Sequence, residues 1–256
     1  MQNGVMQHTA RGSPLEDPRP HAASRPATAI TSAFAMAIAI KIAMAKPYNP
    51  RDRFYRKAKD QGLRARSAFK LDEIQRRFHL LRPGARVLDL GAAPGGWCQI
   101  AAREVAPKGF VLGVDLEPIP PLPGVQTWVA DAFAPELLER LRSEGRAPYD
   151  AVLSDLAPKT SGIHGVDEAR SLELAGRALA LSLQVLKPTG VFVVKVFMGG
   201  DFEGFLKACK QAFRDVRVVR PEASVARGSK EVYLVCQEIR KLPASSDGST
   251  LHTSDA

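Results

Sequence analysis

Cysteine is scarce in this chain, with only Cys98, Cys209 and Cys236 among 256 residues. None of them forms a C-x-x-C pair or lies in a His/Cys cluster, so the sequence predicts no disulfide framework and no metal site. Cys209 and Cys236 lie in apolar segments, where a reduced thiol behaves as a small buried hydrophobe. Reduced cysteines are typical of a reducing compartment, and we therefore expect a cytoplasmic protein.

Long uncharged hydrophobic segments are also missing. The nearest candidate, residues 29–45, contains Lys41 and is too short to span a bilayer, so we expect no association with a membrane. Residues 1–46 are expected to be disordered or to be a mis-assigned extension, with the true initiator at Met36 or Met44. A signal sequence and a mitochondrial transit peptide are the alternatives for this segment.

Acidic residues are outnumbered in the N-terminal part of the chain, which accounts for the net charge of +9. Residues 51–77 hold ten Lys and Arg against four Asp and Glu, residues 1–50 hold five against two, and the remainder is neutral. A neutral body with one basic segment indicates a polyanionic partner such as nucleic acid, although a solvated helix face has the same composition. The candidate contacts to such a partner are Arg53, Arg56, Lys57, Lys59, Arg64 and Arg66.

Alternating strand and helix patterns between residues 47 and 240 predict one α/β domain, followed by a disordered polar tail at 241–256. We expect a Rossmann-like, seven-stranded, mostly parallel sheet with helices on both faces. The strands are predicted around Val87 and at Phe110–Val114, Val125–Val129, Ala151–Ser154, Val191–Val196, Val216–Val219 and Val232–Cys236. The predicted helices are Trp97–Val105, Pro135–Leu141, Glu168–Leu186, Phe202–Phe213 and one capped by Ser67 that runs through Phe78.

The segment from Arg86 to Trp97, RVLDLGAAPGGW, predicts a buried strand, a glycine-rich turn beginning at Gly91, and a helix. In an open α/β sheet this arrangement forms a nucleotide-sized crevice at the carboxyl ends of the strands. The turn departs from G-x-G-x-x-G and contains Pro94, which favours a nucleoside held by its sugar and base, such as S-adenosylmethionine. An ordinary turn with spare glycines is the structural alternative, while a nicotinamide-dependent dehydrogenase is disfavoured.

Three successive predicted strands end in aspartate. Asp115 is placed to accept the ribose hydroxyls of a nucleoside, and Asp131, near Phe133, is placed to meet the adenine amino group. Asp155 follows the fourth strand. Aspartate is disfavoured inside strands, so the coincidence indicates a site, although each residue alone could be a helix N-cap.

Lys195 interrupts an apolar run, VFVVKVF from Val191, that is predicted to be buried on both faces. A lysine in such a place needs a partner or loses its proton, because burial disfavours the charged form. The functional interpretation is a general base or proton shuttle, and the structural one is a lysine that extends to solvent from a strand end.

Five ordered motifs lie between Asp52 and Cys236: RARSAFKL from Arg64, GAAPGGW from Gly91, DLAP from Asp155 with a following Ser-Gly, VVKVF from Val193, and SKEVY from Ser229. Together they resemble the FtsJ/RrmJ family of RNA ribose 2′-O-methyltransferases, and most closely its bacterial branch that methylates a uridine in 23S ribosomal RNA. Four residues depart from the family's usual pattern without affecting the implied catalytic set: Leu63, Ala65, Cys98 and Lys159.

The resemblance implies a catalytic tetrad of Lys70, Asp155, Lys195 and Glu231. It also implies that S-adenosylmethionine is the methyl donor, with contacts at Gly91, Gly95, Trp97, Asp115, Asp131 and Asp155. Lys195 is the expected base, but Lys70 and Asp155 would influence it in opposite directions, so the sequence does not settle which lysine takes the proton.

The expected partner is ribosomal RNA in the large subunit, and the expected oligomeric state is a monomer. Two rival functions keep the same fold. Transfer RNA or messenger cap riboses could be the substrate, since relatives of this kind act on them. A ribosome-assembly factor could instead depend on RNA binding more than on catalysis, but such a protein need not keep both lysines.

Overall fold

The computed structural model describes residues 53–144, 147–159, 161–225 and 230–240. Within these ranges the strands are β1 Arg86–Leu90, β2 Phe110–Asp115, β3 Val125–Val129, β4 Tyr149–Ser154, β5 Leu186–Phe197, β6 Phe213–Val219 and β7 Glu231–Ile239. The helices are α1 Arg53–Asp60, α2 Ala68–Phe78, α3 Gly96–Val105, α4 Pro135–Ser143, α5 His164–Val185, α6 Phe202–Ala212 and α7 Glu222–Val225. The predictions for residues 1–46 and 241–256 lie outside the described residues.

The seven strands form one sheet in the order β3-β2-β1-β4-β5-β7-β6. β1 to β5 pair in parallel, whereas β7 runs antiparallel to both β5 and β6. The predicted α/β architecture and mostly parallel sheet are therefore confirmed. Because the chain moves outward from β1 in one direction and returns to β4 on its other side, the sheet has its topological switch point at the carboxyl ends of these two strands.

Alternating side chains of the strands fill two hydrophobic cores, one on each face of the sheet. Leu88 and Leu90 of β1 belong to the core that α4, α5 and α6 cover, while Val87 belongs to the core under α2 and α3. Side chains two residues apart share a face of a strand. Lys195 therefore faces the α2 layer with Val193, two positions earlier in β5.

The N-terminal helices pack together at one side of this second layer. Phe54 and Ala58 of α1 are buried against Phe69 of α2 and Ala223 of α7. Ser67 is the N-cap residue of α2, as predicted, but its side chain makes no capping hydrogen bond. Its carbonyl oxygen instead accepts a hydrogen bond from the indole Nε1 of Trp97 at 2.9 Å, which ties α2 to α3. Across the described ranges, no helix is both long and apolar enough to cross a membrane.

Candidate active site

A cavity of about 480 Å³ lies at the switch point of the sheet. It lies among the residues that follow β1, β2, β3 and β4, together with two side chains of α5. Its lining combines carboxylates with apolar groups: Gly91, Ala93, Val114, Asp115, Leu116, Ala130, Asp131, Ala132, Phe133, Asp155, Leu156, Ala157, Leu174 and Arg177. This is the volume and chemical mixture expected of a small-molecule site.

The turn after β1 depends on two glycines in the left-handed region. Gly91 has a φ of +74°, and a Cβ there would lie 2.7 Å from Cδ2 of Leu156. Gly95 has a φ of +105°, immediately before α3, and a Cβ there would lie 2.8 Å from Cδ1 of Leu122. Since any other residue would be both strained and crowded at these points, the glycines allow the turn to close tightly.

Asp115 and Asp131 are placed where the sequence predicted polar contacts to a nucleoside. Asp115 accepts backbone hydrogen bonds from Ala93 and Glu117, one on each carboxylate oxygen and both at 2.9 Å. Asp131 accepts one from Phe133, also at 2.9 Å. Each oxygen of Asp115 has further acceptor capacity, so this fixed carboxylate can also meet two ligand hydroxyls.

Gly95 and Trp97 belong to the predicted donor contacts but are not among the cavity-lining residues. The Trp97 side chain is buried, and its ring centroid lies 5.6 Å from that of Tyr233. Its indole therefore braces the interior of the site. Gly91, Asp115, Asp131 and Asp155 do line the cavity, so the structure brings together four of the six predicted donor contacts.

The four residues of the predicted tetrad form two ion pairs, each between a buried lysine and a half-buried carboxylate. Lys195 lies 3.2 Å from Oδ1 of Asp155 and donates a 2.6 Å hydrogen bond to its backbone oxygen. Lys70 of α2 lies 2.6 Å from Oε1 of Glu231. Residues separated by up to 161 positions therefore meet, because α2 covers the face of the sheet on which Lys195 lies.

The two ion pairs of the tetrad also interact with each other, because Lys70 and Asp155 shift each other's pKa. Burial lowers the pKa of Lys70, but the carboxylates of Asp155 and Glu231 raise it by more, and the net shift is upward. Burial raises the pKa of Asp155, but the Lys195 and Lys70 ammonium groups outweigh this and the net shift is downward. Lys70 therefore retains its proton, and Asp155 remains a carboxylate.

Tyr233 is a further member of the site that the sequence reasoning missed. Its hydroxyl donates a 2.7 Å hydrogen bond to Oδ1 of Asp155, the same oxygen that Lys195 approaches. Burial, followed by the charge of Asp155, holds the pKa of Tyr233 well above its usual range, so the hydroxyl remains a donor. The available signal was spacing, because Tyr233 lies two positions after Glu231 and shares its face of β7.

Ser224 was also missed, and here the sequence carries no comparable signal. Its hydroxyl donates a 2.5 Å hydrogen bond to Oε1 of Glu231 from the short helix α7. The same oxygen of Glu231 therefore pairs with Lys70 and accepts the hydrogen bond from α7. Only the folding of the segment before β7 brings Ser224 to this carboxylate.

The basic segment, residues 51–77, carries its charges in different surroundings. Arg56 and Lys59 are exposed on α1, and Arg66 is half-buried before α2. Arg53 forms an ion pair with Glu222, and Nζ of Lys57 lies 5.1 Å from the ring centroid of Phe69. Arg64 is different, because its guanidinium group is engaged by backbone carbonyls.

The model of the FtsJ-like methyltransferases matches residues 63–239. The chain belongs to this family. It is 55% identical over 195 residues to the ribosomal RNA large subunit methyltransferase E of Myxococcus xanthus, covering 75% of this chain and 91% of the relative. The protein of that name from Anaeromyxobacter sp. is 52% identical over 203 residues, or 78% of this chain and 73% of the relative.

A solved structure shows the same fold. A ribosomal RNA methyltransferase from Plasmodium falciparum superposes with a TM-score of 0.62 at 26% identity, covering 69% of this chain and 98% of that one. The family resemblance inferred from the five motifs is thus confirmed. The chain is an FtsJ-like methyltransferase, and S-adenosylmethionine is its methyl donor.

The cavity fits this donor in chemistry as well as in size. Asp115 offers a fixed carboxylate for ribose hydroxyls, Asp131 offers an acceptor for an exocyclic amino group, and Phe133 and Leu156 offer apolar surface to a base. Asp155 also lines the cavity and belongs to the tetrad, so the donor site and the cluster of lysines and carboxylates adjoin each other.

Proposed function

We propose that the chain methylates the ribose 2′-oxygen of a uridine in 23S ribosomal RNA, on the assembled large subunit in the cytoplasm. The observation that carries this proposal is the position of Asp155, which lines the donor cavity and pairs with Lys195. The names of the relatives, large subunit ribosomal RNA methyltransferases, support the substrate class. We further propose that the protein acts as a monomer with no membrane partner.

Lys195, in its neutral form, is the proposed general base. S-adenosylmethionine, when bound, supplies a sulfonium methyl group. The ribose 2′-oxygen forms a bond to this methyl group as the sulfur–methyl bond breaks. Lys195 Nζ receives the proton of the 2′-hydroxyl, and Asp155 orients the lysine through its backbone oxygen and its carboxylate. Tyr233 in turn holds this carboxylate through a hydrogen bond from its hydroxyl. Lys70 serves the reaction as a fixed positive charge, because its raised pKa keeps it protonated and leaves no free lone pair to accept a proton.

Most of the rate enhancement is proposed to come from positioning. A sulfonium methyl group is already strongly electrophilic, so the principal task is to hold the two reactants in line. Glu231 contributes indirectly by holding Lys70, and its loss is expected to cost less activity than the loss of Lys195.

The proposed RNA-binding surface consists of four exposed basic residues of α1 and one half-buried arginine before α2. Arg53, Arg56, Lys57, Lys59 and Arg66 are the proposed phosphate contacts. Arg64 leaves this set, because its guanidinium group donates to three backbone carbonyls. Removing charge from the remaining residues should raise the RNA KM and leave the affinity for the methyl donor unchanged.

The test is transfer of tritium from labelled S-adenosylmethionine to large ribosomal subunits, free ribosomal RNA and transfer RNA. Lys195→Ala is measured alongside the wild type, and Lys207→Ala, which removes an exposed lysine of α6, is the matched control. We expect label at a ribose 2′-oxygen of subunit RNA, reduced by about 100-fold or more in Lys195→Ala. The Lys207→Ala variant should label normally.

Each other outcome has a clear meaning. Label only in transfer RNA would show that transfer RNA is the substrate, which is the first rival function. Binding of the donor without label in any RNA would favour the assembly-factor function. Near-normal turnover by Lys195→Ala would refute the assignment of the base.

A further inference from the structure

Arg64 lies in the linker between α1 and α2, and its guanidinium group is directed at two loops. Nη1 donates to the carbonyl oxygens of Pro94 at 3.3 Å and Pro120 at 2.5 Å, and Nη2 donates to that of Pro121 at 2.6 Å. These three carbonyls belong to segments separated by 26 positions in the chain. A single side chain therefore joins the turn after β1 to the loop after β2.

Each segment lines the donor cavity at its start, through Gly91 and Ala93 of the turn and through Asp115 and Leu116 at the end of β2 and the beginning of the loop, whereas the three prolines lie just beyond these lining residues. Pro94 lies within the glycine turn that begins at Gly91, and the loop with the two prolines begins directly after Asp115. On its inner side the turn is held by Asp115, which accepts the Ala93 amide at 2.9 Å. Arg64 joins the same two segments at a second place, through its hydrogen bonds to the prolines.

Arg64 also lies close to Gly95, the residue of this turn that directly precedes α3. A Cβ on Gly95 would lie 3.2 Å from Nη1 of Arg64 and 3.2 Å from Cγ2 of Ile119. The turn is therefore packed directly beneath the guanidinium group and the loop that this group binds. A shift of Arg64 would release both segments at once.

The backbone of Arg64 is fixed as well. Its amide donates a 2.7 Å hydrogen bond to Oε1 of Gln99 in α3, and Nε2 of Gln99 donates to the carbonyl oxygen of Gly62 at 3.0 Å. One glutamine thus holds the linker on both sides of Leu63. The arginine is attached to the body of the protein before its side chain reaches the two loops.

The chemistry of this contact requires an arginine. The planar guanidinium fork carries five donors in fixed directions and can address several carbonyls together, whereas the ammonium group of lysine acts as a point charge. Proline carbonyls suit this partner, because proline offers an acceptor and no amide of its own.

We propose that Arg64 is a positioning residue for the methyl donor, holding the two segments that line the donor cavity at their binding distance. Among the six basic residues that the sequence offered as RNA contacts, Arg64 is the one proposed to act on the donor and not on the RNA. The inference rests on the cavity being the donor site. It does not depend on which RNA is methylated.

The experiment compares Arg64→Ala and Arg64→Lys with Arg56→Ala, which removes an exposed arginine from α1. Binding of S-adenosylmethionine is measured by calorimetry without RNA, and binding of ribosomal RNA is measured without donor. We expect both Arg64 variants to raise the donor Kd about tenfold or more, because charged hydrogen bonds to both segments are lost. Their RNA Kd should stay near the wild-type value, and Arg56→Ala should show the opposite pattern.

Steady-state kinetics separate positioning from a general loss of structure. The donor KM should rise in Arg64→Lys while kcat at saturating donor is retained, because Arg64 is not part of the tetrad. If Arg64→Ala fails to fold, Arg64→Lys decides, since it keeps the charge and the aliphatic stem. An unchanged donor Kd in folded Arg64→Lys would overturn the proposal, and so would a rise in RNA Kd as large as that of Arg56→Ala.

Discussion

Lys70 and Lys195 lie in the same buried cluster, but they meet different partners. Lys70 is paired with Glu231 at 2.6 Å and also feels the charge of Asp155, and its pKa is raised despite burial. Of the two carboxylates, Asp155 and Glu231, Lys195 pairs only with Asp155. One of its two contacts there is to the backbone oxygen. This asymmetry assigns Lys70 to electrostatic support and leaves Lys195 as the better candidate for proton transfer.

Asp89 is a second residue with unusual surroundings, directly beneath the glycine turn. It is fully buried in β1, one carboxylate oxygen accepts a 3.2 Å hydrogen bond from the Cys98 thiol, and the other has no partner among the described residues. Burial raises the pKa of Asp89 to about 8, while the thiol hydrogen bond acts in the opposite direction. The folded protein therefore binds a proton at Asp89 that the unfolded chain releases at much lower pH.

This gives a prediction for stability against pH. Because the folded-state pKa is raised, the contribution of Asp89 to stability is complete at acidic pH and is lost progressively as pH rises toward about 8. Asp89→Asn resembles the neutral carboxyl and escapes this loss. The difference in Tm between Asp89→Asn and wild type should therefore grow in favour of the variant from pH 5 to pH 8.

Thermal melts at several pH values measure this difference directly. Contributions from other titrating groups cancel when the two proteins are compared at each pH. A difference that stays constant with pH would show that Asp89 does not take up a proton on folding.

Among the elements, the turn after β1 depends most strongly on backbone conformation. Gly91 has positive φ and lies against Leu156, which follows β4 and lines the donor cavity. Gly95 supports the same turn, and its amide donates a 2.6 Å hydrogen bond to the carbonyl oxygen of Ala92. The turn thus combines backbone conformation, packing and ligand binding in a few residues.

Gly91→Ala should weaken both stability and donor binding. The left-handed conformation costs a residue with a Cβ about 1–2 kcal/mol, and the new methyl group would push Leu156 toward the cavity. We expect a lower Tm and a higher donor Kd, measured by thermal melting and calorimetry.

Gly84→Ala is the matched control for this prediction. Gly84 also has positive φ, +84°, but a Cβ there meets nothing within 4 Å, and the residue precedes β1 at the opposite end of the strand. It should lower Tm through strain alone and leave the donor Kd unchanged. Equal effects of both variants on donor binding would contradict the role assigned to Leu156.

The antiparallel strand β7 is the element that completes the tetrad. Register places Tyr233 opposite Lys195 and Glu231 opposite Phe197. A parallel strand at this position would bring its amino end, where Glu231 and Tyr233 lie, to the other edge of the sheet. The reversal of one strand thus decides which residues reach Asp155.

For the whole molecule, the main feature is the separation of a basic surface from a neutral α/β body. The net charge of +9 arises entirely in residues 1–77. In α1, apolar Phe54 and Ala58 pack inward while Arg56 and Lys59 remain exposed. On the proposed function, this arrangement leaves the exposed charge for the RNA and the cavity for the methyl donor.

The salt dependence of RNA binding should measure how many phosphate contacts this basic surface makes. A plot of log Kd for ribosomal RNA against log salt is expected to be steep, and each of Arg56→Ala and Lys59→Ala should reduce its slope by about 0.7–0.9. Donor binding, measured across the same salt range, serves as the internal control and should change little. A slope that neither substitution alters would place the phosphate contacts elsewhere.

Much of this protein could be derived from local patterns. Alternating strands and helices predicted the sheet, strand ends located Asp115, Asp131 and Asp155, and the lysine inside an apolar strand marked Lys195. These signals can be recognised in the sequence because hydrophobic periodicity and turn preferences depend only on residues close together in the chain. The motifs also identified the family, which the comparisons confirm.

Contacts between distant segments were decided only by the tertiary structure. The positions of β7 and α7 bring Tyr233 to Asp155 and Ser224 to Glu231. Trp97 is buried and donates a hydrogen bond to the residue that precedes α2. Composition placed Arg64 with the candidate RNA contacts, yet in the fold its guanidinium group donates to backbone carbonyls of the turn after β1 and the loop after β2. Charge is a property of the residue, whereas the partner of that charge depends on which segments the folded chain brings within hydrogen-bonding distance.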